Sequence, residues 1–528
     1  MLTEKRLRKL HRLLLTLIFV QVVLWGVSGL YMVVMDIDFI RGTPFKSAPQ
    51  PLVAEKVIVP PAVLLNRFDS IKSIRLRMLA DTPVYVVDDG VNVSMVNAET
   101  SESISINETR TIEIARKGYL TLNDTPAINA INLFTDVAPE EIPTSILPAW
   151  QVEFDDGVNT RFYIDATTGE ILRVRHQYWR LFDLMWQLHI MDYDDGADID
   201  NPLLSAFIIS TLLALGSGMA LLVVHFHRQA DKRARQGRTQ AKSLFSSSKR
   251  QLRYWHRRLA LLTLIPLCLW LVSAAYLNMF APHFQHDYSK QTETYHSMSS
   301  NQADVIMDAV NLALSRVVQA DQLAKLPIQS PDDRQFDPHL KQLLQHEYRE
   351  SPITEIDFIP FPAQLVTPLL LLRNANDKAW LVDPVTLNIN TLNKQQALAL
   401  LLAKYEFEAD NMTITMQSDG VDDMPEFSGK LWQIDVDDHV ETTFYIDSIN
   451  GSLFGPFNRY TRLESLFLRI HFFDYAGSLG FNHWWNILFA LLYLILSLSG
   501  IAYLFRFVKN KLPLKIHSVK ARRNRQVA

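Results

Sequence analysis

The sequence predicts an α-helical membrane protein with four transmembrane helices and two α+β periplasmic domains, internally duplicated. Three observations predict it: four long apolar stretches, the basic residues that flank them, and a repeat running through both halves of the 528-residue chain. The apolar stretches are residues 13–34, 203–226, 259–280 and 485–507. Each holds at least about 20 residues, enough for a helix to cross a roughly 30 Å hydrocarbon core. None contains Asp, Glu, Lys or Arg before its last turn, where Arg506 ends the fourth.

Flanking charge gives the expected orientation. Lys5, Arg6, Arg8, Lys9 and Arg12 precede the first stretch, residues 227–258 between the second and third are rich in Arg and Lys, and so are residues 508–528 after the fourth. By the positive-inside rule, residues 1–12, the loop 227–258 and the tail 508–528 are expected in the cytoplasm. Segments 35–202 and 281–484 then lie outside, where Asp194-Asp195 and Asp422-Asp423 fall. The net charge of −4 therefore hides a strong polarity along the membrane normal. The basic, then apolar start lacks a small-x-small cleavage site and reads as a retained signal-anchor. Cys268, the one cysteine, sits inside the third stretch, so the outer segments carry no disulfide. That suits a multi-pass protein of a bacterial inner membrane with periplasmic domains. The basic middle loop lies beside two spans, so anionic lipid and topology account for it and nucleic acid is not expected.

The repeat is specific. Trp150-Gln-Val-Glu-Phe at the start of residues 150–169 matches Trp432-Gln-Ile-Asp-Val at the start of 432–451, an offset of 282. The same offset aligns His189 with His471, Asp192 with Asp474, and Ser217-Gly218 with Ser499-Gly500. Earlier in the chain an offset of 245 aligns His11-Arg12 with His256-Arg257, Trp25 with Trp270 and Ser28 with Ser273. Unbroken self-similarity of this kind is the mark of a duplicated unit. The outer segments carry strand patterns followed by turns, as in Pro83–Val87, Phe162–Asp165, Trp380–Asp383 and Thr443–Asp447. They contain no nucleophile elbow and no metal-spaced His/Glu pair, and Gly is too scarce for a phosphate loop, so no catalytic side chain is predicted there.

Tyr-x-Asp-x-x-x-Gly after a Trp-containing strand occurs twice, at Tyr163/Asp165/Gly169 and Tyr445/Asp447/Gly451. It resembles the signature of PepSY domains, and the surrounding plan resembles the PepSY-associated transmembrane family. That family's features are a His at the cytoplasmic edge, a Ser/Thr-Gly pair late in a span, and a Leu/Ile-His motif before the returning helix. Here they are His11 with Ser28-Gly29, Leu188-His189 and Ile470-His471; His256 also matches, but Ala274 replaces its Gly partner. The resemblance covers nearly the whole chain. It implies two PepSY-like outer domains, and it includes proteins similar to inner-membrane reductases that take iron from ferric siderophores and carry b-type haem.

Beside that resemblance stand the histidines. Parallel repeats place equivalent residues at equal depth, related by an axis along the membrane normal. A bis-histidine haem b needs two imidazoles from different helices at one depth, so His189/His471 and His11/His256 are the expected ligand pairs for one or two haems. The plain alternatives are that His11 and His256 snorkel toward headgroups, and that His189 and His471 bond locally to Asp192 and Asp474. His225 and His227 point to nearly opposite faces of a helix, so one of them, His225 in this reading, could pair with His11 instead. His176, His283, His286 and His296 are expected at the surface, or at most as weak ligands for a metal-bearing substrate. Ser217-Gly218 and Ser499-Gly500 are expected to serve close helix approach.

The expected function is electron transfer across the membrane to a periplasmic acceptor, with a ferric siderophore as the acceptor that the resemblance implies. No dinucleotide fingerprint is visible, so electrons would come from a quinol or a separate protein. The alternative is a non-enzymatic, membrane-anchored PepSY protein that binds a periplasmic peptide or regulates a peptidase.

Overall fold

A computed structural model gives the fold. It describes residues 4–511 except 285–352, 237–247, 360–368, 383–389, 475–481 and shorter stretches at 66, 69–70, 122–124, 194–195, 197, 406, 408–410, 419 and 426. The chain divides into a helical unit (residues 1–37, 181–285 and 460–528) and a sheet unit (38–180 and 286–459).

In the helical unit α1 (Glu4–Val34), α4 (Pro202–Gln236) and α9 (Trp484–Lys511) are long continuous helices. The third apolar run is split, with α5 (Ser248–Leu262) ending just before α6 (Leu264–Met279). Pro266 has no N–H to give the Leu262 carbonyl, so the helix breaks there. The Thr263 hydroxyl turns back onto the Leu259 carbonyl at 2.9 Å. Among the described residues, four helices are long and apolar enough to cross a membrane: Glu4–Val34, Pro202–Asp231, Leu264–His283 and Trp484–Arg506. At most 28 % of any of their apolar windows is buried against protein. Leu13, Leu17, Val20, Ile209, Leu213, Ile265, Leu491 and Ile495 stand exposed. Apolar surface on that scale is stable only against lipid, and the chain is a multi-pass membrane protein in a bilayer.

Inside the bundle α1 packs on α4 and α9, α5 on α9, and α4 on α6. Ile18, Val22 and Ala214 form one buried cluster, with Phe207 and Tyr493 against it. Gly26 allows the closest approach of α1 and α9. A Cβ there would lie 3.2 Å from both the Tyr493 ring and Leu494, and the Tyr493 hydroxyl donates to the Val22 carbonyl at 3.0 Å.

Among the described residues, the sheet unit holds three antiparallel sheets. β1 (Ser73–Leu79), β2 (Thr82–Asp88), β3 (Val93–Asn97) and β4 (Ser103–Ile104) come from the first half. β9 (Ile353–Ile359), β10 (Leu369–Asn374) and β11 (Ala379–Val382) come from the second. They form one seven-stranded sheet in the order β11-β10-β9-β1-β2-β3-β4. The two α+β regions are therefore joined through β1 and β9, with Ile74 opposite Phe358 and Arg77 opposite Glu355. Strand alternation sorts the faces. Ile74, Leu76, Tyr85, Val87, Ile356, Leu370, Leu372 and Val382 fill a core on one side.

The other side carries two modules, each, among the described residues, a four-stranded sheet with one helix. In the first, β5 (Ile128–Phe134), β6 (Ala149–Phe154), β7 (Arg161–Asp165) and β8 (Ile171–Arg175) pack with α2 (Glu108–Gly118) over Leu79, Val84, Val86 and Met95. In the second, β12 (Met412–Ser418), β13 (Lys430–Val436), β14 (Thr443–Asp447) and β15 (Leu453–Phe457) pack with α7 (Lys394–Lys404) over Leu381. Both helices start on an asparagine cap, Asn107 and Asn393, the latter in a full capping box with Gln396.

Candidate functional site

The repeated Tyr-x-Asp signature folds the modules. Asp165 accepts from the Thr167 and Thr168 N–H groups, each at 2.7 Å, and closes the β7–β8 turn. Gly169 completes it at φ +72°, where an added Cβ would lie 2.7 Å from Leu79. The Tyr163 hydroxyl, inside the module, donates to Glu141 at 2.8 Å and accepts from Gln151 at 2.7 Å. Glu141 also takes Arg161 at 2.9 Å and Arg180 at 2.6 Å. Burial would raise the Glu141 carboxyl, but the hydrogen bonds from Arg180 and Tyr163 and the charges of Arg180 and Arg161 outweigh it and hold it below its ordinary value. In the second module Tyr445 donates to Asp423 at 3.0 Å, and Asp447 caps Ile449 at 2.8 Å. The signature is thus accounted for by folding.

The histidines converge in the helical unit. His189 ends α3 (Gln177–Ile190) and His471 ends α8 (Arg459–Phe472), two amphipathic helices that lead toward α4 and α9. Their ring centroids lie 6.5 Å apart, with the planes at 81°. Each ring is held identically. His189 Nδ1 lies 3.0 Å from the Ser28 hydroxyl, and His471 Nδ1 lies 3.0 Å from the Ser273 hydroxyl. The indole of Trp25 donates to the His189 carbonyl at 2.7 Å, and that of Trp270 to the His471 carbonyl at 2.8 Å. The sequence's local alternative, a bond to the nearby carboxylates, is not what holds these rings. Asp192 accepts from the Asp198 N–H at 2.9 Å, and Asp474 pairs with His483 at 3.3 Å.

His11 and His256 are seated the same way. His11 Nδ1 faces the Ser217 hydroxyl at 3.0 Å and the Ala214 carbonyl at 3.1 Å. His256 Nδ1 faces the Ser499 hydroxyl at 2.8 Å. The glycines that follow three of the serines lie against the rings. A Cβ on Gly218 would lie 3.2 Å from His11 Cε1, one on Gly500 3.4 Å from His256 Cε1, and one on Gly29 3.6 Å from His189 Cε1. Ser217-Gly218 and Ser499-Gly500 therefore seat histidines, beyond the helix packing the sequence suggested.

Sequence reasoning missed these four serines, although the signal was present. Ser28 and Ser273 share the offset of 245 with His11 and His256, while Ser217 and Ser499 share the offset of 282 with His189 and His471. Each histidine is thus held by a serine carried on the other repeat register.

The remaining histidines separate from this set. His225 receives Gln229 at 2.9 Å and Arg257 at 3.1 Å, whereas His11 is taken by Ser217. His176, expected at the surface, is fully buried. Its Nε2–H donates to the Phe39 carbonyl at 2.8 Å and its Nδ1 accepts from the Trp179 N–H at 3.3 Å, so it caps α3. Nothing in the alternation of that segment marks a helix cap made from an imidazole. His283 is exposed, and His286 and His296 lie outside the described residues. Among the described residues no group of three or more His, Cys, Asp or Glu gathers as a metal cluster; a pair of neighbouring imidazoles is a different donor set.

No curated protein matches the chain. A family model, the PepSY-associated TM region, matches residues 121–500. The match takes in both signature turns, His189, His256 and His471, and the seats Ser217, Ser273 and Ser499. The chain belongs to the PepSY-associated TM family.

Proposed function

We propose that this is an internally duplicated haem b protein of a bacterial inner membrane that passes electrons outward to a periplasmic ferric chelate. The observation that carries the reading is the His189–His471 pair. The two imidazoles come from different helices and their ring centroids are 6.5 Å apart, so this pair would hold one haem iron. The donor set of two neutral imidazoles in an apolar bundle suits low-spin haem iron, and His11 with His256 forms a second candidate pair.

Bound haem would supply one-electron chemistry. The chain's own residues do the rest. Ser28 and Ser273 orient the imidazoles, Trp25 and Trp270 fix the helix ends that carry them, and the apolar helices keep water from the pair. With both termini in the cytoplasm, as the flanking charges favour, His11 and His256 lie on the inner side and His189 and His471 on the outer side. One electron delivered to the chelated Fe(III) yields Fe(II), which a ligand built for Fe(III) holds less well. The electron comes from a quinol or a separate protein, and the choice of a ferric siderophore as chelate rests on the family resemblance.

A visible spectrum of the detergent-purified protein, before and after dithionite, tests the reading. A Soret band with sharpened α and β bands on reduction is expected. A colourless protein from haem-replete cells that takes up no added haemin would overturn it and favour a PepSY protein that binds peptide without redox chemistry.

A further inference from the structure

We infer that Ser28, Ser217, Ser273 and Ser499 are positioning residues that fix all four histidines as the Nδ1–H tautomer, leaving each Nε2 lone pair free for ligation. The tautomer follows from proton bookkeeping on the chain itself; only what is ligated rests on the haem reading. A serine hydroxyl has one proton and two lone pairs. In every case that proton is committed to a carbonyl of its own helix. Ser28 donates to Leu24 at 2.7 Å, Ser273 to Leu269 at 2.7 Å, Ser217 to Ala214 at 2.8 Å and Ser499 to Leu496 at 2.7 Å. Toward the imidazole the oxygen can then only accept, so the facing nitrogen, Nδ1 each time, must carry the hydrogen. His11 gives the same answer independently, because its Nδ1 also faces the Ala214 carbonyl at 3.1 Å, which has no proton to offer.

A neutral imidazole protonated at Nδ1 keeps its lone pair on Nε2, and the bond made by one nitrogen decides which tautomer the other presents. A mid-helix serine that bonds back to its own helix is common and by itself says nothing. Here the second lone pair of all four meets a histidine, at 2.8–3.0 Å. The seats are also crossed in sequence. The serines of α1 and α6 hold the histidines that end α3 and α8, while the serines of α4 and α9 hold those of α1 and α5. Each candidate ligand is thereby locked to a second helix, so its orientation depends on bundle packing and not on its own rotamer alone.

The test uses the full chain in bilayers with 15N-labelled histidine, comparing the wild type with Ser28→Ala, Ser273→Ala and the conservative Ser28→Thr and Ser273→Thr. In the haem-free protein, each Ala variant is expected to lose one Nδ1–H tautomer signal by solid-state NMR, and each Thr variant to keep it. Haemin affinity is expected to fall about 10–100-fold in the Ala variants, as for lost partners of ligating histidines, and to recover with Thr. Tautomer signals that do not change on Ser→Ala would overturn the inference. So would Ala variants that bind haemin as tightly as the wild type. If the wild type binds no haemin yet the tautomer signals follow the serines, the positioning stands and the haem reading fails.

Discussion

His176 shows how a single side chain can read one way in sequence and another in the fold. An outer-segment histidine after a strand looks solvent-facing, yet its ring is packed between Phe39 and Phe45, at 4.9 Å from each centroid. Both nitrogens are used, one as donor and one as acceptor, so the ring must be neutral. Burial lowers its pKa below the ordinary value and the neighbouring Arg180 and Arg175 add to that, against the Phe39 carbonyl and Asp156. A histidine with a lowered folded pKa contributes stability above its unfolded value of about 6.5 and loses it as pH falls below that. Thermal unfolding of the wild type should therefore weaken from about pH 6.5 downward. The equivalent residue in the second half, by the offset of 282, is the buried Asn458 immediately before α8. His176→Asn should keep the cap and flatten that part of the pH profile, while His176→Ala should cost about 1 kcal/mol. An acid profile that ignores residue 176 would refute this. At the residue scale His11, His189, His256 and His471 were legible as candidates because repetition exposes them. Their serine seats were not, because a Ser-Gly pair in an apolar helix has an ordinary packing explanation.

At the scale of the helices, hydropathy located the spans but not their joints. The break between α5 and α6 is set by one missing N–H at Pro266, too local for an average over a window to register. The approach of α1 to α9 at Gly26 is equally local. Gly26→Val adds a side chain where a Cβ alone already meets Tyr493 and Leu494 at 3.2 Å. Overpacking of that kind costs about 1–3 kcal/mol. The variant should melt earlier in detergent, and an unchanged melting temperature would show that α1 and α9 do not pack there. Gly218→Val, by contrast, should press on the His11 ring. On the proposed haem reading, its expected signature is a loss of haem held by His11 and His256 with haem held by His189 and His471 spared.

The whole molecule adds what no single repeat could announce. Strands were legible from alternation and turns from Asp and Gly, so both outer modules could be anticipated as α+β. That β1 and β9 would merge the halves into one sheet was not, since cross-repeat pairing leaves no trace in either strand's own pattern. The seam is apolar on one face, with Ile356 1 % exposed, and charged on the other, where Arg75 meets Asp357 at 2.9 Å. Ile356→Ala should cost about 2–5 kcal/mol of unfolding stability. Arg75 is 44 % exposed, so its ion pair is worth only about 0.2–1 kcal/mol. Arg75→Glu and Asp357→Arg should each destabilise slightly and their combination should recover the loss, measured as coupling in a double-mutant cycle. Independent, additive effects would mean that the pair does not help to join the halves.

One histidine from each half of the chain comes to a common place, and the proposed chemistry depends on that. The measurement that tests this most directly is the haem-to-protein ratio of His189→Ala, His471→Ala and the double variant. Each single replacement should remove the same one haem, and the double should remove no more. Single variants that each retain full haem, or losses that add in the double, would contradict a shared site at His189 and His471.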